Sequence, residues 1–135
     1  MKSFRFATWT FRLAGIYGLV VILLGYFSEP QIGRDYPPAV THVEYFYGFM
    51  GLALTFQLIF LLISTDPLRY RPLMLLAVME KLVFFVPAMI LFARHQLPPP
   101  TAGGAAIDLV FAVLFLMSYF RTSPASPAVA TIAAP

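Results

Sequence analysis

The chain contains no cysteine, and that absence removes disulfides, thiol redox relays, thiolate zinc sites and iron–sulfur clusters together. Charge is nearly as scarce. Asp, Glu, Lys and Arg make up 11% of the 135 residues, against about 25% in a soluble domain. So few polar groups cannot clothe a surface that faces water. Three catalytic signatures are missing as well: a Gly-rich phosphate loop, a nucleophile elbow and a metalloprotease helix with paired histidines. The residues therefore lean away from an enzyme, and no motif implies a cofactor. The net charge of +3 is small and dispersed, which argues against nucleic acid as a partner.

What the chain has in excess is hydrocarbon. Hydrophobic residues reach 60%, above the usual ~45–50%, and a lipid bilayer is the solvent that suits them. They collect in four stretches, at about 10–27, 42–64, 72–93 and 104–120. Each approaches the ~20 residues that carry a helix across ~30 Å of hydrocarbon. Helices satisfy every backbone group internally, as an open sheet in lipid cannot. Pro30, Gly33, Pro37 and Pro38 mark 28–41 as a polar loop, Thr65-Asp66-Pro67 stops the second stretch, and 94–103 with Pro98-Pro99-Pro100 forms the last loop.

The expectation is an all-α integral membrane protein: an up-down four-helix bundle in one domain over 1–121, with a disordered cytoplasmic tail over 122–135. The short connection between the second and third spans predicts that this hairpin is the most secure. Met1-Lys2-Ser3-Phe4-Arg5 resembles the start of a signal peptide. No small-x-small cleavage site follows Leu24, so a first membrane helix is preferred.

Orientation follows from the basic residues. Lys2, Arg5, Arg12, Arg69, Arg71 and Arg121 fall on one side of the membrane, whereas only Arg34 and Arg94 fall on the other. The positive-inside rule then puts both termini in the cytoplasm, N-in and C-in. Trp9, Tyr70 and Tyr119 mark the inner interface; Tyr26, Tyr45 and Tyr47 mark the outer one. Ala14, Gly18 and Gly25 form a small-residue stripe on the first span, with Gly51 and Thr55 on the second. Such stripes let lipid-embedded helices approach closely, either within one bundle, which is preferred, or across a homodimer.

Glu80 and Lys81 carry the most information. Counted from Pro72 they lie ~12–14 Å into the third span, near the bilayer centre. A charge there costs at least ~2.5–3.5 kcal/mol and usually faces a bundle interior or a cavity. Adjacent residues on a helix diverge by about 100°, so each is expected to find its own partner rather than the other. Depth counting offers Asp108 to Lys81, and Gln57, Thr55 or Tyr17 to Glu80. The cluster is either a proton or ligand site or a polar clasp that fixes helix register. Pro87 removes the amide that would bond the Val83 carbonyl and is expected to kink the helix above the pair.

Two peripheral groups complete the candidates. His42, Glu44 and His95, with Asp35 nearby, could form an outer-rim metal or haem site by residue type, though without supporting spacing. Arg69 and Arg71, in Asp66-Pro67-Leu68-Arg69-Tyr70-Arg71-Pro72, suit lipid headgroups or a cytoplasmic partner, with Asp66 accepting turn amides.

Phe11-Arg12-Leu13-Ala14-Gly15-Ile16-Tyr17-Gly18, Tyr45-Phe46-Tyr47-Gly48-Phe49 and Asp66 to Leu73, together with Glu80-Lys81, resemble small bacterial inner-membrane proteins of the broad DoxX-like group. The resemblance covers about residues 10–121. It implies a multi-pass protein of the bacterial inner membrane and no settled activity. Three functions follow in order. The first is an accessory or scaffolding subunit of a larger membrane complex. The second is a proton-coupled small-solute transporter acting as a dimer, and the third a membrane cofactor-binding or redox protein.

Overall fold

The computed structural model describes residues 2–123, with side chains from Phe4 onward. It consists of α1 (Lys2–Tyr26), α2 (Glu29–Asp35), α3 (Val43–Thr65), α4 (Arg71–Ala93) and α5 (Pro99–Arg121). No strand occurs among the described residues. The four long helices are each long and apolar enough to cross a membrane. A helix of 23 residues such as α4 reaches ~35 Å at 1.5 Å per residue, a little more than the hydrocarbon thickness.

Three boundaries differ from those read in the sequence. The first helix begins at Lys2 rather than near Thr10, because nothing in Phe4-Arg5-Phe6-Ala7-Thr8-Trp9 breaks it. The last begins at Pro99 rather than near Gly104. Proline in a first turn gives up only an amide that has no helical partner anyway, so Pro99 and Pro100 start the helix instead of belonging to the loop. The backbone of Pro98 accepts from the Thr101 and Ala102 amides. Third, the 28–41 connection contains α2, which opens with Glu29 and Pro30. A ladder of side chains runs along it: Gln31 Nε2 donates to Asp35 at 2.7 Å, and Arg34 donates to Gln31 Oε1 at 2.7 Å. Asp35 is thus engaged within α2. Of the tail, Thr122 and Ser123 close the last helical turn through Ser118 and Phe120; the remainder of the expected disordered segment lies outside the described residues.

The helices pair as α1 with α3 and α4 with α5, while α1 meets α5 over a shorter length. The α3–α4 hairpin, expected to be the most closely paired, has the least contact of these four pairs. Side-chain size accounts for the difference. Gly15 and Gly18 of α1 lie directly on Leu61 and Gln57 of α3, whereas α3 and α4 present Phe49, Phe56 and Phe84 to each other's neighbourhood. Gly25 likewise faces Met50, but Gly51 has open space around it and Thr55 is exposed. The first-span stripe therefore serves packing inside one chain.

The core lies toward the Arg71 end of α4 and consists of Ala7, Phe11, Phe60, Ile63, Met74 and Phe115 with small residues between. Phe11 and Phe115 stack with centroids 4.2 Å apart and planes 10° apart, and Phe60 lies 4.9 Å from Phe115. Around this core the usual distribution is inverted. Gln57, Ser64, Lys81 and Ser118 are buried, while Leu24, Leu52, Val83, Val113 and Phe120 stand exposed. Such a surface suits acyl chains rather than water. The chain has the form of a multi-pass membrane protein.

Candidate functional site

Helix periodicity and depth bring three charges together at mid-span. Lys81 stands ten residues beyond Arg71, ~15 Å along α4, and Asp108 thirteen residues before Arg121, ~20 Å along α5. A lysine stem covers the difference. Lys81 Nζ lies 3.0 Å from Asp108 Oδ1. The same ammonium also lies 3.2 Å from Glu80 Oε2. Glu80 and Lys81 were expected not to serve each other, because neighbouring side chains diverge; the four-carbon lysine stem is long enough to close that angle. One ammonium thus serves two carboxylates. Lys81 is buried, with a side chain 8% exposed, and the ring centroid of Phe60 lies 5.2 Å from its Nζ. That ring adds a weak cation–π attraction from the core side.

Glu80 is less well satisfied. Its Oε2 is buried and receives no hydrogen bond, since the Lys81 contact has the distance of an ion pair without donor alignment. None of the three residues expected to serve it bonds this oxygen. Gln57 donates to the Ala53 carbonyl at 3.0 Å, Thr55 donates to the Gly51 carbonyl at 3.0 Å, and Tyr17 packs its ring 5.7 Å from Phe111. Gln57 and Thr55 lose the competition to their own helix because the i−4 carbonyl is always within reach.

Two openings meet at Glu80. A cavity of about 250 Å³ lies among α1, α3, α4 and α5, with Tyr17, Glu80, Lys81 and Asp108 on its walls and Gly25 and Gly104 toward the far helix ends. A groove of about 420 Å³ runs between α3 and α4, lined by apolar residues and Glu80. Phe49, Ala53, Glu80 and Phe84 line both. Phe49 and Phe84 lean on each other, centroids 5.8 Å apart, and bridge the two helices one turn beyond Glu80. The aromatic lining was not singled out from sequence. Phe49, Ala53 and Phe56 recur at helical spacing on α3, as do Met79, Val83 and Phe84 around Glu80, and that register was the available signal.

The rim that carries His42 and His95 assembles differently from the sequence expectation. His42 Nδ1 contacts Glu44 at 3.2 Å, with both side chains exposed. His95 has φ 57° and terminates α4: its amide bonds Phe92 O, and the Gln96 amide bonds Leu91 O. That pattern is the left-handed turn that commonly ends a helix, here with histidine in the usual glycine place. No three His, Asp or Glu side chains come together in a metal-binding group among the described residues.

On the opposite rim Arg71 and Arg69 diverge in role. Arg71 Nε donates to the Tyr119 carbonyl at 3.1 Å, and its guanidinium lies 3.7 Å from the Tyr119 ring centroid. It ties the start of α4 to the end of α5, where orphan carbonyls attract cations. Arg69 stays exposed near the Tyr70 ring, and Asp66 accepts its amide at 3.1 Å. Against protein-family models, curated proteins and solved structures alike, the chain finds no match.

Proposed function

We propose that the protein is a small membrane carrier, an up-down bundle with both termini in the cytoplasm, that exchanges a proton against a small solute at the Glu80–Lys81–Asp108 cluster. The observation that carries this reading is the shared ammonium. With both carboxyls ionised, Glu80 and Asp108 share the single charge of Lys81 and the buried cluster is one positive charge short, beside a cavity of about 250 Å³. A register clasp needs no such deficit and no cavity. Ionisable groups at mid-membrane that line a cavity are the usual marks of a proton or ion path. Four helices enclose little space, so the working unit is a homodimer. The DoxX-like resemblance fits a bacterial inner-membrane location and adds no substrate.

A second reading, an accessory subunit of a larger complex, is favoured by the loose α3–α4 contact and the apolar groove it leaves. A partner's transmembrane helix would fit there. Proteoliposomes separate the two. With an imposed pH gradient, wild-type protein is expected to drive uptake of at least one small cationic solute, and Glu80→Gln is expected to abolish it while the fold persists. Failure of every solute in the panel, together with stoichiometric co-purification of a membrane partner, decides for the accessory subunit.

A further inference from the structure

We infer that the solute is a lipid-soluble monocation, of the alkyl- or aryl-ammonium kind, which enters sideways from the bilayer through the α3–α4 groove and sets its charge against Glu80. This inference rests on the carrier reading above. Charge comes first. Glu80 and Asp108 share Lys81, so when both are ionised a single added positive charge completes the cluster, whereas an anion would face two carboxylates. The acceptor is also in place: Glu80 Oε2 is buried, lacks a hydrogen bond and lines both the groove and the interior cavity.

The groove then selects the body of the molecule. Glu80 is the one charged residue on a wall otherwise made of Phe49, Phe56, Met79, Phe84 and aliphatic neighbours. Its volume of about 420 Å³ lies within the ~300–1,000 Å³ of drug-sized sites. Aromatic faces attract organic cations. A hard metal ion would need several oxygen ligands, which phenyl rings and aliphatic chains cannot supply. Access from the side follows from the packing. The Phe11–Phe60–Phe115 stack closes the bundle beneath Lys81, while α3 and α4 touch less than α1 with α3, α4 with α5 or α1 with α5, and Val83 on the groove is 65% exposed.

The test uses the full chain in detergent, with tetraphenylphosphonium as probe and tetraphenylborate as its anionic counterpart of the same shape, both measured by equilibrium dialysis. The phosphonium is expected to bind saturably and the borate not to displace it. Glu80→Gln should weaken binding about tenfold or more, as loss of one partner in a buried charge pair does. Val83→Trp, which fills the groove from an exposed position and leaves the charges alone, should weaken it as well, and keeps the test decisive if E80Q fails to fold. Equal retention of cation and anion, or unchanged binding in V83W, overturns the inference. Gradient-driven uptake of a hydrophilic amine without phosphonium binding overturns the solute class but leaves the carrier standing; loss of both removes both. Because the chain has no cysteine of its own, V83C adds a direct check. A disulfide between two chains in native membranes would show a second copy filling the groove and would end the case for lateral entry.

Discussion

Gly18 of α1 lies against the side chain of Gln57 in α3 so closely that a β-carbon would overlap it. Gln57 cannot simply swing aside, since it is buried and donates to Ala53 O at 3.0 Å. Gly18→Ala is therefore expected to lower stability by about 1–3 kcal/mol, the range for overpacking a filled interior. In the Gln57→Ala background the same change should be nearly harmless, because the colliding atoms are gone. Thermal unfolding of the four proteins in one detergent measures the coupling; additive losses would mean that the two residues do not bear on each other.

The charge cluster makes a ranked prediction. Lys81→Met leaves two carboxylates facing each other without a cation and should be the most damaging single change, by about 3 kcal/mol or more. Asp108→Asn should be milder, because the Lys81–Glu80 contact survives at 3.2 Å. The triple variant Glu80→Gln, Lys81→Met, Asp108→Asn should recover much of the loss, as neutral replacement of a buried ion group often does. Denaturant titration in micelles gives the order. Equal damage from D108N and K81M would show that Asp108, not the ammonium, holds the cluster together.

At the end of α4 His95 occupies a backbone conformation, φ 57°, that costs a side-chain-bearing residue roughly 1–2 kcal/mol. His95→Gly should accordingly leave stability unchanged or raise it by about 1 kcal/mol, since glycine is the common residue at this place in the turn. A metal-ligand role predicts the opposite, with stability that depends on added zinc. Melting curves of wild type and H95G with and without chelator distinguish the two.

The spans were legible in the sequence because apolar length is a one-dimensional signal, and Lys81 with Asp108 was legible because rise per residue converts position into depth. Direction around a helix axis was harder. Gln57 and Thr55 sit at the right height for Glu80 but bond their own helix, a choice that depends on rotamer rather than depth. The pairing of α1 with α3 over α3 with α4 also escaped loop length. It depends on Gly15 and Gly18 meeting Leu61 and Gln57, a match between two distant segments that neither segment reveals alone.

Arg69 in the α3–α4 connection and Arg71 at the start of α4 should behave differently although they are two positions apart. Arg71 combines a hydrogen bond to Tyr119 O with stacking on the Tyr119 ring, and lysine reproduces neither the planar stack nor the fixed donor. Arg71→Lys is expected to cost about 1 kcal/mol. Arg69→Ala should change stability by less than ~0.5 kcal/mol, as exposed substitutions do. Comparable losses for R69A and R71K would count against the Arg71 tie and in favour of a general charge effect.

Orientation can be tested at two exposed positions in a chain that carries no competing thiol. The basic residues divide six to two between the sides, with Lys2, Arg5, Arg12, Arg69, Arg71 and Arg121 opposed to Arg34 and Arg94. Lysine and arginine near short loops resist translocation, so the richer side is expected to stay in the cytoplasm. Gln96→Cys, just beyond the α4 terminus, should then react with a membrane-impermeant maleimide in intact cells. Ser123→Cys, just beyond α5, should react only after permeabilisation. The reverse pattern would invert the bundle and put the Arg71–Tyr119 junction outside. Labelling of both positions in intact cells would mean that α5 does not cross at all, and Asp108 would then lose its place beside Lys81.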